Sequence, residues 1–151
     1  MSMPCIQPAQ REDLPEILKL QYLAYQSEAR LFHDPDIPPL RQTLSELQAE
    51  FDRGAFLKAL DENGRIIGSV RACCEGDTAY IGKLMVHPDH QRRGLGSRLL
   101  QAIENACHVQ RYELFTSTKS AGNIRLYQRL GYQIFKEEKI TEELTFVYLE
   151  K

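Results

Sequence analysis

Tyr80-Ile-Gly-Lys-Leu-Met-Val-His-Pro-Asp-His90 runs directly into Gln91-Arg-Arg-Gly-Leu-Gly-Ser97 and then into Arg98-Leu-Leu-Gln-Ala-Ile-Glu-Asn-Ala106. The apolar run over residues 81–86 predicts a short strand that ends near His87, because Pro88 has no N–H for a β-ladder. From Leu95 onward, apolar residues recur at helical spacing, which predicts an amphipathic helix that starts at or just before Gly94. The stretch is therefore a strand, a turn and a helix.

The turn between these two elements has the composition of an anion-binding loop. Gly94 and Gly96 carry no side chain that would block a close backbone approach, and a helix N-terminus offers free N–H groups. Arg92 and Arg93 add positive charge beside them. The turn lacks the third glycine of a dinucleotide-binding fingerprint and the Gly-Lys-Ser/Thr ending of a P-loop. The residues therefore predict a site for a diphosphate, and a nucleotide phosphate stays open as the ligand.

The order of strand, proline turn, Gln91-x-x-Gly94-x-Gly96 and amphipathic helix resembles the acyl-CoA-binding motif of the GNAT superfamily, the GCN5-related N-acetyltransferases. The family pattern at these positions is Gln/Arg-x-x-Gly-x-Gly/Ala. A second segment, Asn123-Ile-Arg-Leu-Tyr-Gln-Arg-Leu-Gly-Tyr132, is similar to the family's Asn-x-x-Leu-Tyr-x-x-x-Gly-Phe/Tyr. The resemblance covers nearly the whole chain and is specific over residues 80–132.

Length and composition narrow the class of protein. We expect residues 1–151 to form a single domain, because a chain of 151 residues is long enough for one core. The 19 basic and 21 acidic side chains give a formal charge of −2, so no basic excess indicates nucleic acid as a partner. Four cysteines without metal-ligand spacing are interpreted as reduced thiols. With neither a signal-peptide pattern nor a membrane span in the sequence, we expect a cytoplasmic protein.

The remaining segments predict the elements around the motif. These are an edge strand at 5–8, a helix from 13 to about 30, a proline-rich loop at 31–40, a helix from 43 to 54, strands at 55–60 and 65–74, a strand at 112–116, a helix at 120–130, and strands at 132–136 and 144–149 joined by a charged connection at 137–143. The order indicates an α/β protein. The resemblance implies a single-domain GNAT-like fold, with a mixed, mostly antiparallel sheet of six or seven strands flanked by about four helices. It also implies that the sheet splays between the motif strand and the strand at 112–116 to admit CoA.

The resemblance implies an acyl-CoA-dependent N-acyltransferase with acetyl-CoA as cosubstrate and direct attack by a primary amine in a ternary complex. A backbone N–H at a bulge of the motif strand, which maps to Met85 or Val86, polarises the thioester carbonyl in such enzymes. A tyrosine of the last helix protonates the leaving thiolate, and Tyr127 matches it, although half-buried packing is the ordinary role for such a residue. Asn123 matches a pantetheine contact and is also an ordinary helix cap. The cofactor-binding residues expected are Leu84, Met85, Val86, Gln91, Arg92, Arg93, Gly94, Leu95, Gly96, Ser97 and Asn123.

The group that removes the proton of the amine is left open by the sequence. Some family members carry a glutamate on the motif strand, and Tyr80 stands at that position here. Glu28, Asp34, Asp36 and Glu75 are candidates that could act directly or through water, and each is also an ordinary solvated charge. The first three mildly favour a cationic small molecule as the acceptor.

Several alternatives stay open beside this interpretation. His87 and His90 lie in a turn without a third ligand nearby, so we predict no metal site. The partner we expect is a small-molecule amine or a peptide, with no nucleic acid and no membrane, and a homodimer is one allowed assembly. A non-catalytic acyl-CoA-binding module is the main alternative, because the motif strand lacks a glutamate. Turnover with a panel of amines separates it from an enzyme, and competition between CoA and ATP tests a nucleotide-phosphate binder.

Overall fold

The computed structural model describes residues 3–151, whose strands form a seven-stranded sheet. The strands are β1 (Cys5–Pro8), β2 (Ala55–Leu60), β3 (Ile66–Glu75), β4 (Thr78–Val86), β5 (Arg111–Ser117), β6 (Gln133–Lys139) and β7 (Thr145–Glu150). Their order across the sheet is β1-β2-β3-β4-β5-β7-β6. Neighbouring strands are antiparallel except for β4 and β5, which are parallel. The mixed, mostly antiparallel sheet predicted from the sequence is confirmed.

The helices are α1 (Leu14–Ala24), α2 (Gln26–Leu31), α3 (Pro38–Arg41), α4 (Leu44–Phe51), α5 (Leu95–Ala106) and α6 (Ala121–Arg129). Residues 11–13 and 88–90 form single 3₁₀ turns. Within residues 3–151, α1, α4, α5 and α6 are the helices of eight or more residues, in line with the four expected. In the same part of the chain, no helix is both long enough and apolar enough to cross a membrane.

The N-terminal third differs from the prediction in two places. The helix predicted from 13 to about 30 bends at Tyr25 and continues as α2. Leu14 of α1 packs in one hydrophobic cluster, whereas Ala29 of α2 packs with Phe32 in another, and one straight helix would not serve both. The loop predicted at 31–40 contains the start of α3, because Pro38 occupies the first helical turn, where its missing N–H costs no hydrogen bond.

The strand near the C-terminus is longer than predicted. β6 extends to Lys139, three residues into the predicted connection, because these residues still pair with β7. Every residue of β6 is exposed. Charged side chains are common on edge strands, where they discourage pairing with other chains. The charged composition that favoured a loop therefore belongs to an exposed edge strand.

A bulge in β4 lies ahead of the position predicted for it. The pairing register with β3 shifts between Gly82 and Met85, so Lys83 and Leu84 together face one residue of β3. The prediction placed the bulge at Met85 or Val86. The extra residue moves the side chains that follow it to the opposite face of the sheet. Met85 therefore faces α1, where it is only 2% exposed. Burial of Met85 thus requires the bulge to come before it.

Helices cover both faces of the sheet. Leu57 of β2 packs in the cluster with α5, and the preceding Phe56 packs in the cluster with α1 and α4, as the two-residue period of a strand requires. Gly68 of β3 lies beneath α5, and a Cβ atom there would come 2.9 Å from Leu99 and 3.2 Å from the carbonyl oxygen of Met85. This glycine therefore lets α5 lie directly on the sheet.

The sheet splays between β4 and β5, as the resemblance implied. The two strands pair only where residues 78–80 meet residues 111–113. Beyond Tyr80, within the described chain, β4 has no ladder partner on this side. Val86 and the turn that leads into α5 follow this unpaired part of β4, so the N-terminus of α5 lies at the open end.

Gly68→Val is expected to lower the free energy of unfolding by about 1–3 kcal/mol, because the new side chain overpacks the contact with α5. Gly82→Val is the matched control, since a Cβ atom at Gly82 meets nothing within 4 Å. Urea unfolding followed by circular dichroism measures both variants. Equal destabilisation of the two would contradict the close contact between α5 and β3.

Candidate functional site

The turn between β4 and α5 is fixed by its own residues. The N–H of Asp89 donates to Nδ1 of His87 at 3.1 Å, and Nε2 of Gln91 donates to the carbonyl of Val86 at 3.3 Å. Arg92 and Gly94 adopt positive φ angles of 64° and 80°. Glycine reaches this conformation without steric cost, so Gly94 can reverse the chain immediately before α5.

The N-terminus of α5 presents free hydrogen-bond donors. Its first helical bond runs from the N–H of Arg98 to the carbonyl of Gly94. Within residues 3–151, the N–H groups of Leu95, Gly96 and Ser97 have no acceptor, and no side chain caps the helix. Together with the helix dipole, these amides favour an anion by about 0.3 to 2 kcal/mol. Other contacts must supply the rest of the affinity of a large ligand.

A cavity of about 390 Å³ lies at this end of α5. All the expected cofactor-binding residues except Arg93 line it, namely Leu84, Met85, Val86, Gln91, Arg92, Gly94, Leu95, Gly96, Ser97 and Asn123. Arg93 lines a separate cavity with Asp61 and Arg98. The fold therefore brings the motif and Asn123 of α6 together, whereas only one of the two neighbouring arginines contributes charge to this cavity.

The same cavity has further walls, of which the sequence analysis named only Glu28, as a candidate base. Ala24, Tyr25, Ser27 and Glu28 come from the bend between α1 and α2, and Gly122, Leu126 and Arg129 come from α6. The bend could not be read from a continuous helical pattern. The α6 residues had a usable signal, because Leu126 lies three residues from Asn123 and Arg129 three residues from Leu126, which makes each a neighbour of the one before on the helix surface. Arg129 gives the cavity a second cation.

A second cavity, of about 260 Å³, adjoins the first. The two share Tyr25, Glu28, Leu84 and Asn123, which mark their junction. Most other residues around the second cavity are apolar, and they include Phe32, Ile37, Ile81, Leu114, Leu144 and Phe146. A ligand at the α5 terminus can therefore meet a second molecule in a largely apolar chamber.

Tyr127 lines the second cavity, and its side chain is 7% exposed. Its hydroxyl makes no hydrogen bond within the described part of the chain, and it is not among the buried polar atoms that are sealed off without a partner. The hydroxyl is therefore accessible from the cavity. Burial, and then the charge of Glu28, raise the pKa of Tyr127 above its ordinary value.

Glu28 is the one carboxylate among the four proposed bases that lines either cavity. Burial raises the pKa of Glu28, and the charge of Lys83 partly opposes that shift. Asp34 and Asp36 are exposed in the loop before α3, where the Asp36 N–H donates to the Asp34 carboxylate at 2.8 Å. Glu75 is exposed at the turn between β3 and β4, at the closed end of the splay. The structure thus brings only Glu28 to the site.

The two histidines of the turn pack against each other. The rings of His87 and His90 lie edge to face with centroids 5.7 Å apart. Across residues 3–151, no three His, Cys, Asp or Glu side chains come together as ligands for a metal ion.

Comparison with known proteins places these features in a family. The family model described as the Acetyltransferase (GNAT) domain matches residues 52–134, which include the motif strand, the turn, α5 and α6. The chain is 30% identical over 130 residues to the UPF0157 protein YqkA of Bacillus subtilis, covering 85% of this chain and 37% of that protein. It is 29% identical over 105 residues to the mycothiol acetyltransferase of Amycolatopsis mediterranei, covering 68% of this chain and 32% of the relative. The chain thus spans about a third of the length of these two relatives.

A solved structure shows the same fold. The GNAT superfamily phosphinothricin acetyltransferase from Sinorhizobium meliloti, solved in complex with AcCoA, superposes with a TM-score of 0.80 at 16% identity. The match covers 99% of this chain and 88% of the other. At this identity, the likeness shows a shared architecture.

Gly96→Asp is expected to abolish the rise in melting temperature that acetyl-CoA causes, because a carboxylate beside the free amides of α5 repels a diphosphate. A ligand at ~100 times its Kd adds about 2.7 kcal/mol to the folded state, so differential scanning fluorimetry resolves the effect in the unsubstituted protein. Gly96→Ala is the matched control, since a Cβ atom there lies an ordinary 3.5 Å from Leu126. An unchanged shift in Gly96→Asp would place the diphosphate elsewhere.

Proposed function

We propose, from the premise that this chain belongs to the GNAT acetyltransferase domain family, that it is an N-acetyltransferase that transfers the acetyl group of acetyl-CoA to a primary amine of a small molecule or a peptide. One observation carries the proposal: the cavity with the free α5 amides joins the chamber that contains Tyr127 and Glu28. The two joined cavities together hold an anion site, a proton donor and a proton acceptor. The AcCoA-bound neighbour supports acetyl-CoA as the cosubstrate.

The amides of Leu95, Gly96 and Ser97 are the groups we assign to the diphosphate of CoA, with Arg92 and Arg129 as countercharges. The unpaired edge of β4 offers backbone groups to the pantetheine, which is itself rich in amides. A buried backbone group without a partner is costly, so a ligand that pairs with this edge gains from the splay. Asn123 lies at the junction and can reach the same arm.

The reaction that these residues serve forms one bond and breaks another. The nitrogen of a neutral amine bonds to the thioester carbonyl carbon, and the bond from that carbon to sulfur breaks. A backbone N–H of Leu84, Met85 or Val86, beside the bulge, donates to the oxygen as negative charge develops on it. Glu28 accepts the amine proton, directly or through water, and Tyr127 donates to the leaving thiolate.

The proton balance defines what Tyr127 contributes. A phenol has a pKa near ~10 and a thiol near ~8.5, so transfer of a proton from the phenol to a free thiolate is uphill. Burial raises the pKa of Tyr127 further. We therefore assign to Tyr127 a hydrogen bond that strengthens as the thiolate forms, while the proton released by the amine balances the overall reaction.

The alternative of a non-catalytic acyl-CoA-binding module rested on the absence of a glutamate from the motif strand. Tyr80 at that position is 42% exposed, but Glu28 enters the junction from a different element. A carboxylate is therefore available without a glutamate on β4, which favours an enzyme. The cytoplasmic location, the homodimer and the single domain stay predictions from the sequence.

Tyr127→Phe is expected to lower kcat and kcat/KM together by roughly 10²-fold or more, with little change in acetyl-CoA affinity, because it removes only the donor to the thiolate. The measurement is thiol release from acetyl-CoA with a panel of amines and peptides, first with the unsubstituted protein and then with the variant. Release with no member of the panel would overturn the proposed activity.

A kcat of Tyr127→Phe within about threefold of the unsubstituted value, confirmed by single-turnover measurement, would remove Tyr127 from this role. Tyr132→Phe is the matched control, since the Tyr132 hydroxyl donates to Glu104 at 2.7 Å, outside both cavities. Its loss is expected to affect stability rather than kcat.

Glu28→Gln is expected to lower kcat/KM and to remove the acidic limb of its pH profile. Because burial raises the pKa of Glu28, this limb should lie above the ordinary glutamate range.

The stability of Glu28→Gln should stay the same or rise, although its activity falls. A raised carboxyl pKa means that ionisation costs the folded state at pH values above it, so the variant should melt no lower than the unsubstituted protein at pH 8, and the difference should shrink as pH falls through that pKa. A pH profile unchanged by the substitution would contradict the role of Glu28.

A further inference from the structure

Lys83 is the second charged residue of the apolar chamber, and neither the family motif nor the proposed chemistry uses it. Glu28 and Lys83 supply the ionisable charges among the residues that line this chamber, apart from its two tyrosines. Lys83 does not line the cavity at the α5 terminus. A charge in this place acts on the acceptor rather than on the diphosphate.

The backbone of Lys83 is held in an unusual conformation. It is the first residue of the β4 bulge, and its φ angle is 51°, in the left-handed region that residues with a Cβ rarely adopt. Such strain concentrates at functional sites, because the surrounding structure must stabilise it. Here the bulge sets Lys83 beside Leu84, which lies at the junction of the two cavities.

The ammonium group of Lys83 lacks a paired anion. Within residues 3–151 it forms no ion pair and no hydrogen bond. Burial, and then the charge of Arg71, lower the pKa of Lys83, and the charges of Glu50 and Glu28 act against this shift. Glu50 already pairs with Arg71 at 2.9 Å. A half-buried cation without its own anion is unfavourable, and a bound carboxylate would relieve that cost.

We propose that Lys83 binds a carboxylate of the acceptor, and that the acceptor is an α-amino acid with an apolar side chain. This inference rests on the proposed acetyltransferase function and names its substrate class. Glu28 and Lys83 both line this chamber and influence each other electrostatically without forming an ion pair, so an amino acid whose amine is neutral at the moment of attack can bind between them. Its amino group lies toward Glu28 and its carboxylate toward Lys83. Its side chain packs among the apolar residues Phe32, Ile37, Leu144 and Phe146.

The charges of the chamber argue against the cationic acceptor that the sequence favoured. Of the three carboxylates that suggested it, Glu28 lines the chamber, whereas Asp34 and Asp36 do not. A polyamine would place a second ammonium group near Lys83, where like charges repel. Lys83 also borders an outer groove with Arg41 and Glu46, so its ammonium group is accessible from the outside as well.

The test compares acceptors that differ only in the carboxylate. L-phenylalanine is paired with 2-phenylethylamine, and L-leucine with 3-methylbutylamine and with L-leucinamide, in thiol-release assays at saturating acetyl-CoA. Each amino acid is expected to have a kcat/KM on the order of 10- to 100-fold higher than its partners, as for a hydrogen bond to a charged group. Leucinamide is the stricter comparison. Its amine is less basic than that of L-leucine, so a larger fraction of it is in the neutral form that attacks, and a preference for L-leucine cannot come from amine protonation.

Lys83→Met should reduce this preference mainly by raising KM for the amino acid, because a carboxylate is held equally in the ground state and the transition state. Lys83→Arg should restore part of the preference, since it keeps the charge. Lys19→Met is the matched control, which makes the same substitution at an exposed position of α1 outside both cavities. Folding is checked by the acetyl-CoA melting shift, which a change outside the diphosphate cavity should preserve.

The outcomes separate this inference from the proposed function. Turnover of amines without a carboxylate at rates equal to or above those of the amino acids would overturn the role of Lys83 and leave the acetyltransferase in place. The role of Lys83 would also be overturned if Lys83→Met, like the control Lys19→Met, kept the preference for amino acids over amines without a carboxylate. Absence of turnover with every acceptor would overturn both.

Discussion

The parting of β4 from β5 is the constraint on which the rest of the structure depends. A parallel pair that stops at Tyr80 leaves backbone N–H and C=O groups in the middle of a sheet, where such groups are normally paired. Helices α1 and α5 cover β2 to β4 on opposite faces, and Leu114 of β5 packs in the same cluster as α5 on the other side of the opening. The unpaired edge, the free amides of α5 and the apolar chamber meet there, so the interruption of the sheet creates the site.

Two local features of the backbone set the geometry of this opening. Gly68 allows α5 to lie against β3, which fixes where the helix begins and where its free amides point. The bulge at Lys83 and Leu84 moves the following side chains of β4 to the opposite face of the sheet. Met85 therefore faces α1, while Leu84 borders both cavities. Neither Gly68 nor the bulge supplies a group that reacts. Together they bring a diphosphate site and an acceptor chamber to successive parts of one strand.

The ionisable groups of the apolar chamber have a cost in stability. Burial shifts the pKa of Glu28 and Tyr127 upward and that of Lys83 downward, which in each case disfavours the charged form. By contrast, the buried Glu104 is fully engaged, by Tyr132 at 2.7 Å and by Lys151 at 3.0 Å. Glu104 thus belongs to a structural charge network within the chain, whereas Glu28, Tyr127 and Lys83 are groups that would find their partners in substrates.

The sequence by itself determined the order of strands and helices, the turn at Gly94, the position of Tyr127 on the last helix and the residues that make up the motif. These depend on local periodicity and on residues close in the chain. It did not determine the bend at Tyr25, the length of β6 or the position of the bulge, since each follows from contacts between distant segments. The same reason separates Arg92 from Arg93, which are equivalent as neighbours in sequence but line different cavities. Tertiary structure alone selected Glu28 among four carboxylates and brought it opposite Lys83, 55 positions later in the chain, because only the folded sheet and its covering helices define which charges share a cavity.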